Sequence, residues 1–271
     1  MAFHHKVLGL VTLFYLILFL IHVIYAATRK ERLVALIWIG LYVTLGLHTV
    51  GLAMRWVESY RLNMGHVPLS NFYESLIFYA WCLTLIVALM RKRLAYPAIS
   101  GFSCLIALFL MGYASISPSV DRNIQPLVPA LQSNWLHIHV FTCFIAYAAF
   151  VVSFVCGVLY FFGWEGLVPP KRTLEEINYK SVVVGFPMLS AGIFTGAVWA
   201  HYAWGTYWSW DPKETWSLIT WIVYALFLHA RLVKGWRGTK MAILSIIGFS
   251  SVIFTYFGVN FILSGLHSYA T

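Results

Sequence analysis

Charge is what this chain has least of. Only 10% of its 271 residues are Asp, Glu, Lys or Arg, 61% are hydrophobic, and the mean hydropathy is +0.79. A water-soluble domain of this size does not tolerate that balance, so none is expected. Cysteine is sparse too. Cys82, Cys104, Cys143 and Cys156 all fall within apolar runs and form no C-x-x-C pair. That argues against a disulfide framework or a thiol-redox motif and leaves small buried side chains. There is no internal repeat and no low-complexity tract. The first apolar run is long, lacks a basic leader and is followed by Arg29-Lys30-Glu31-Arg32, so it does not read as a cleavable signal.

What remains is a succession of apolar runs long enough to cross a bilayer. They predict an all-α fold, a polytopic membrane helix bundle of about eight transmembrane helices near 7–27, 33–54, 72–90, 96–114, 135–162, 181–200, 213–233 and 241–263. A single transmembrane domain over 1–271 is expected. Loops 28–32, 91–95, 163–180 and 231–240 hold 13 of the 18 Lys and Arg. The alternate loops and the termini hold only Lys6, Arg55, Arg61, Arg122 and Lys213. The excess of basic residues marks the cytoplasmic side, which places both termini outside the cytoplasm. These flanks account for the net charge of +9, so no nucleic-acid partner is implied; the lipid bilayer is the partner of the apolar surface.

Five of the 12 tryptophans fall within the 18 residues Trp199-Ala-His-Tyr-Ala-Trp-Gly-Thr-Tyr-Trp-Ser-Trp-Asp-Pro-Lys-Glu-Thr-Trp216. The predicted loop at about 199–216 lies on the outer side. An interfacial aromatic belt accounts for solitary residues such as Trp135 and Trp164. It accounts poorly for Trp204, Trp208 and Trp210 clustered around Gly205, where glycine lets the backbone turn or approach a ligand. The alternative is a broad, flat, weakly polar platform of the kind a porphyrin needs. Asp211-Pro212-Lys213-Glu214 sets a capping residue, an N1 proline and a capping-box acid at the start of the seventh helix. Asp211 and Glu214 are therefore either helix caps or contacts to a ligand's polar edge.

The order Trp204-Gly205-Thr206-Tyr207-Trp208-Ser209-Trp210-Asp211 resembles the tryptophan-rich WWD signature of haem-handling membrane proteins in cytochrome c maturation. The CcsA/ResC family, of the synthase called System II, is the best match. Pro68-Leu69-Ser70-Asn71-Phe72-Tyr73-Glu74-Ser75-Leu76, Leu131-Gln132-Ser133-Asn134-Trp135-Leu136-His137-Ile138-His139-Val140 and Gly265-Leu266-His267-Ser268-Tyr269 match as well, so the resemblance spans roughly residues 65–269. It implies haem b (iron protoporphyrin IX) as the cofactor. It also implies a CcsB/ResB-type membrane partner, an apocytochrome c bearing CxxCH, and a thiol-reducing partner. The expected location is a bacterial cytoplasmic membrane or its thylakoid equivalent, with the tryptophan-rich loop on the outer side.

A six-coordinate haem iron takes two axial ligands, for which neutral imidazole is a usual donor. Of the ten histidines, His139 lies near the outer start of the fifth helix and His267 just beyond the outer end of the eighth, both on the side of the tryptophan loop. The resemblance assigns these two to the external haem iron. His137 competes with His139 but points elsewhere on the helix. His229, near the inner end of the seventh helix, is an ionisable group in a membrane span. The resemblance makes it a ligand of a second haem within the membrane, whose other ligand comes from the partner; His22 is an internal alternative. The site is expected to comprise His139, His267, His229, Trp199, Trp204, Gly205, Trp208, Trp210, Asp211 and Trp216. Glu74 either pairs with Arg55 or Arg61 or touches haem. His4, His5 and His66 are expected to be exposed.

No residue is an evident general base or protein nucleophile. The chain therefore reads as a haem-presenting subunit of a cytochrome c haem lyase, which positions CxxCH thiols at haem for covalent attachment. One alternative is a haem exporter or delivery protein of the CcmC kind, opposed by the eight helices and the Ser70–Ser75 segment. Another is an electron-transfer cytochrome b, opposed by the lack of stacked histidine pairs on shared helices.

Overall fold

A computed structural model describes residues 3–91, 96–162 and 166–263. It is entirely helical among these residues, and eight helices are long and apolar enough to cross a membrane. The protein is an integral membrane protein. The chain groups into two compact units, Met1–Leu127 and Val128–Thr271.

The first unit holds α1 (Phe3–Thr28), α2 (Arg32–Arg61), α3 (Phe72–Leu89) and α4 (Pro97–Ile116). Its exterior is apolar, with Leu13, Leu20, Ile39, Val50 and Val57 exposed, as suits contact with lipid. Its interior carries the polar groups. The buried face of α2 repeats at helical spacing through Thr44, His48, Gly51, Arg55 and Ser59. That stripe is why α2 runs to Arg61 and not to 54, where apolarity ends: Arg55 and Ser59 continue the inward face. Arg55 is completely buried and its Nε lies 2.8 Å from Glu74 Oε1. Its Nη1 donates to Arg122 O at 2.9 Å and its Nη2 to Asn123 O at 3.2 Å, while the guanidinium lies 4.9 Å from the Tyr73 ring centroid. Glu74 Oε2 accepts from both the amide and the hydroxyl of Ser70, each at 2.8 Å. Of the alternatives open for Glu74, pairing with Arg55 is the one found; Arg61 lies at 3.7 Å from Glu58 instead.

The expectation for His4 and His66 is corrected. Both are buried, because His4 Nε2 lies 3.3 Å from Arg55 Nη1 and the His66 ring sits 2.9 Å from Gln125 O. Polar residues at a helix end look exposed in one dimension; here His4 reaches the buried Arg55 and His66 is held by backbone carbonyls.

The second unit begins with a single 3₁₀ turn, Pro129–Leu131, followed by α5 (Asn134–Leu159), α6 (Lys171–Trp204) and α7 (Pro212–Leu232). Next, α8 (Thr239–Ile253) passes through a π turn at Phe254–Gly258 into the short α9 (Val259–Ile262). The start of α6 is ten residues earlier than hydropathy suggests. Lys171-Arg172-Thr173-Leu174-Glu175-Glu176 is polar but helix-favouring, and Pro170 stands just before it. At 34 residues, α6 is ~51 Å long at 1.5 Å per residue, well beyond the ~30 Å hydrocarbon layer.

Helices α5 and α6 pack antiparallel through a stripe of small residues. A Cβ built on Gly185 would lie 2.5 Å from the Phe150 ring, on Gly192 2.5 Å from Cys143 Sγ, and on Gly196 2.5 Å from His139 Nδ1. Gly192 and Gly196 form a G-x-x-x-G pair, which lets membrane helices approach closely. A polar link crosses the same unit: Ser153 Oγ donates to Asn178 Oδ1 at 2.6 Å, and Asn178 Nδ2 to Ser245 Oγ at 3.1 Å.

Candidate functional site

The site is built at one end of the second unit, where α5 starts, α6 ends and α7 starts. Ser133 Oγ caps α5 by accepting from Trp135 N at 3.3 Å, and His139 follows one turn later. The close approach that Gly192 and Gly196 permit sets the imidazole against α6. There Nδ1 donates to Gly192 O at 2.7 Å. The proton is thereby held on Nδ1 and the lone pair on Nε2, the tautomer that a metal-ligating histidine with a backbone acceptor adopts. Cys143 Sγ lies 3.7 Å from the same Nδ1.

Trp199 stands over this histidine, its ring 5.9 Å from His139 and inclined by 21°. Its Nε1–H donates to Ala130 O at 2.8 Å, which ties it to the turn before α5. Trp204 meets Trp199 edge to face at 4.9 Å. These two tryptophans are helical, and so is Trp216; only residues 205–211 leave the helix. The tryptophan-rich segment is therefore two helix ends and a short turn, not an 18-residue loop. Gly205 makes the turn possible. At φ +80° it is the left-handed C-cap of α6, and its N–H donates to His201 O at 2.9 Å.

After the cap, Tyr207 folds back so that its ring stacks on His201 at 4.3 Å and 8°. Trp208 and Trp210 meet edge to face at 5.8 Å. Trp210 takes φ +60°, a conformation few non-glycine residues adopt, and its side chain is 68% exposed. Exposed indole at a strained backbone position is a cue to function that no sequence pattern carries.

Asp211 and Glu214 form a capping box. Asp211 Oδ2 accepts from Lys213 N at 3.0 Å, and Glu214 Oε2 accepts from Ser209 N at 2.7 Å and Asp211 N at 3.2 Å. Their carboxylates are engaged at the helix start, which is the first of the two readings open for them. Lys213 Nζ donates to Asn260 Oδ1 at 3.0 Å, tying α7 to α9. Trp216 packs on Phe254 of the π turn at 4.0 Å.

His229 is exposed on the outward face of α7 with Ile222 and Leu226. His22, the internal alternative, has both ring nitrogens engaged: Nδ1 with Leu18 O at 2.8 Å and Nε2 with Ser100 Oγ at 2.9 Å. His267 and Trp164 lie outside the described residues.

Thus a tautomer-fixed histidine, a tryptophan stack and a capped, tryptophan-bearing turn come together in one unit. Residues 69–267 match the family model described as cytochrome C assembly protein. The chain belongs to the CcsA family of cytochrome c assembly proteins. Among CcsA relatives, the cytochrome c biogenesis protein CcsA of Guillardia theta is 40% identical over 248 residues, covering 82% of this chain and 81% of its own. CcsA of Synechococcus elongatus is 37% identical over 271 residues, covering 80% and 82%. CcsA of Chlamydomonas reinhardtii is 45% identical over 229 residues; the match covers 80% of this chain but 64% of that longer protein. A solved structure, Cytochrome c Heme Lyase CcmF, has a similar fold, with a TM-score of 0.73 at 15% identity. The similarity covers 94% of this chain and 46% of CcmF, so the CcsA-type chain spans less than half of that protein.

The CcsA resemblance led to His139 and the tryptophans but not to Gly192 and Gly196, which seat the histidine. Their signal was present in the sequence as G-x-x-x-G. What it lacked was the identity of the helix they face.

Proposed function

We propose that this CcsA-family protein binds haem b at the end of the second unit and presents it for covalent attachment to the CxxCH thiols of an apocytochrome c. His139 and His267 would hold the iron, and Trp199, Trp204, Trp208, Trp210 and Trp216 with Gly205 would form the platform for the macrocycle. The observation that carries this reading is the hydrogen bond of His139 Nδ1 to Gly192 O at 2.7 Å. It turns the Nε2 lone pair into the ligand, beside the stacked Trp199. The donor set and the aromatic surroundings fit haem. Asp211 serves the platform indirectly, by capping α7.

The chain's own contribution is positional. It holds haem in a weakly polar setting and orients the incoming peptide so that each thiol meets a vinyl group. Each thioether forms by addition of S–H across a vinyl double bond, sulfur to one carbon and hydrogen to the other, with no net oxidation. The peptide's own histidine would offer the iron a ligand in place of one supplied by this chain, which would loosen the product.

A CcsB/ResB-type partner supplies what this chain leaves open. His229 faces outward from α7, the placement of a ligand whose counterpart comes from another chain. The basic loops put His229 at the cytoplasmic end and the tryptophan turn outside. A thiol-reducing partner keeps the CxxCH cysteines available.

The decisive experiment is the reduced absorption spectrum of the detergent-purified chain, co-expressed with the partner. Wild type should give a low-spin bis-histidine spectrum that His139→Gly and His267→Gly each weaken and added imidazole partly restores. Unchanged haem in both variants would sink the clamp. A haem-free wild type would sink the haem reading altogether.

A further inference from the structure

The end of the second unit opposite the tryptophan turn is a cationic surface that the outer haem site does not use. There α5 ends, α6 starts, and α7 passes into α8 through residues 233–238. The acids at this end are spent on two of its cations. Glu175 Oε2 lies 3.5 Å from Arg231 Nη1, and Glu176 pairs with Lys180. Lys171, Arg172, Lys234, Arg237 and Lys240 are exposed and have no acidic partner among the described residues.

Two of these five are held in place by aromatic rings. Lys171 Nζ lies 4.9 Å from the centroid of the Tyr160 ring, and Lys240 Nζ lies 5.0 Å from that of Trp236. The same Tyr160 meets the turn between α7 and α8: a Cβ on Gly238 would lie 3.1 Å from its hydroxyl oxygen. The end of α5, the start of α6 and the turn thus converge on one tyrosine, which brings both lysines to one patch. Each lysine stands in the first turn of its helix, where the positive end of the dipole disfavours a cation. Neither first turn holds an acid to offset it. The patch repels itself until an anion joins it.

Apolar surface borders these charges. Phe161, Leu232, Val233 and Trp236 are all exposed. A free anion would leave that border uncovered, whereas a lipid lays its acyl chains along it. We propose that this patch is a binding site for one anionic phospholipid, its phosphate held by Lys171 and Lys240 and its chains on the apolar border. Arg172, Lys234 and Arg237 enlarge the positive field around the phosphate. The lipid joins the corner between α5 and α6 to the turn between α7 and α8 from outside. Basic patches between membrane helices recognise such head groups, and each cation contributes about fivefold in affinity.

Native mass spectrometry of the full chain, mixed in detergent with equimolar phosphatidylglycerol and phosphatidylcholine of matched chains, tests this. Wild type should retain one phosphatidylglycerol under activation that strips phosphatidylcholine. Lys171→Gln/Lys240→Gln should lower that retention about 25-fold, and Lys171→Arg/Lys240→Arg should keep it. Lys30→Gln/Arg32→Gln removes the same charge from the exposed loop before α2 and should change nothing. Equal loss in the two glutamine variants would mean diffuse attraction and overturns the site, as does equal retention of both lipids by wild type. Inorganic phosphate in large excess should not displace the lipid; displacement would assign the patch to a free anion and overturn the lipid. Phosphatidylglycerol should also raise the melting temperature of wild type and leave that of Lys171→Gln/Lys240→Gln unmoved. Haem lost from that variant with its lipid retention intact would give the patch to the porphyrin's carboxylates instead.

Discussion

The starts of α3 and α7 are written in nearly the same residues and serve different ends. Each has a side-chain cap followed three positions later by glutamate: Asn71 and Glu74, Asp211 and Glu214. Asn71 Oδ1 accepts from Glu74 N at 2.8 Å, and Asp211 Oδ2 accepts from Lys213 N at 3.0 Å. At α3, however, the glutamate also meets a buried arginine, and the segment before it folds inward. At α7 the glutamate binds the turn before it, where Trp210 stands exposed at φ +60°. Similar local grammar therefore makes a structural lock in one place and a presented surface in the other. The remote partner decides which.

The comparison is sharpened most by removing the acid at each start. Glu74→Gln leaves Arg55 buried without its counter-charge and should destabilise by about 3–5 kcal/mol, seen as collapse of the thermal melt in detergent. Arg55→Met/Glu74→Leu together should do less harm than either single change. Glu214→Gln removes only cap contacts, and a loss as large as that of Glu74→Gln would erase the distinction drawn here. Next in size is Gly196→Ala, whose methyl would enter the His139 ring. Overpacking of this kind costs about 1–3 kcal/mol, and the haem spectrum should shift with it. Gly112→Ala, with open space around its Cβ, should leave melt and spectrum unmoved.

The capping substitutions come third. Asp211→Ala and Asn71→Ala should each cost about 0.5–2 kcal/mol, and haem should remain bound in both once the protein is folded. Haem loss from a folded Asp211→Ala protein would reassign that carboxylate to the ligand. Trp210→Gly, last in the series, is expected not to destabilise. Relief of the left-handed backbone is worth about 1–2 kcal/mol, so the melt should hold or rise slightly while haem occupancy falls.

Eight spans were legible because apolar length is a one-dimensional property, and the capping box at Asp211 because it is local. The polar start of α6 was missed, since hydropathy detects the bilayer and not the helix that continues beyond it. Arg55 was legible in part. Its pairing with Glu74 was one of the alternatives, whereas the two backbone carbonyls that complete its surroundings come from a segment about 67 residues away. The tryptophan segment showed its composition but not its form, because Trp199 and Trp204 belong to a helix that Gly205 ends four residues later than expected. His139 could be named from its motif, whereas the carbonyl that sets its tautomer lies 53 residues away.

The π turn at Phe254–Gly258 has one more consequence. Before it, Ser245 faces Asn178; after it, Asn260 faces Lys213. A regular helix keeps a single screw phase, and these two neighbours ask for different ones. One surplus residue absorbs the mismatch, working as a fixed gear between the two stretches. A deletion there would not simply shorten the chain. It would turn everything beyond by about 100°, and Asn260 would no longer face Lys213.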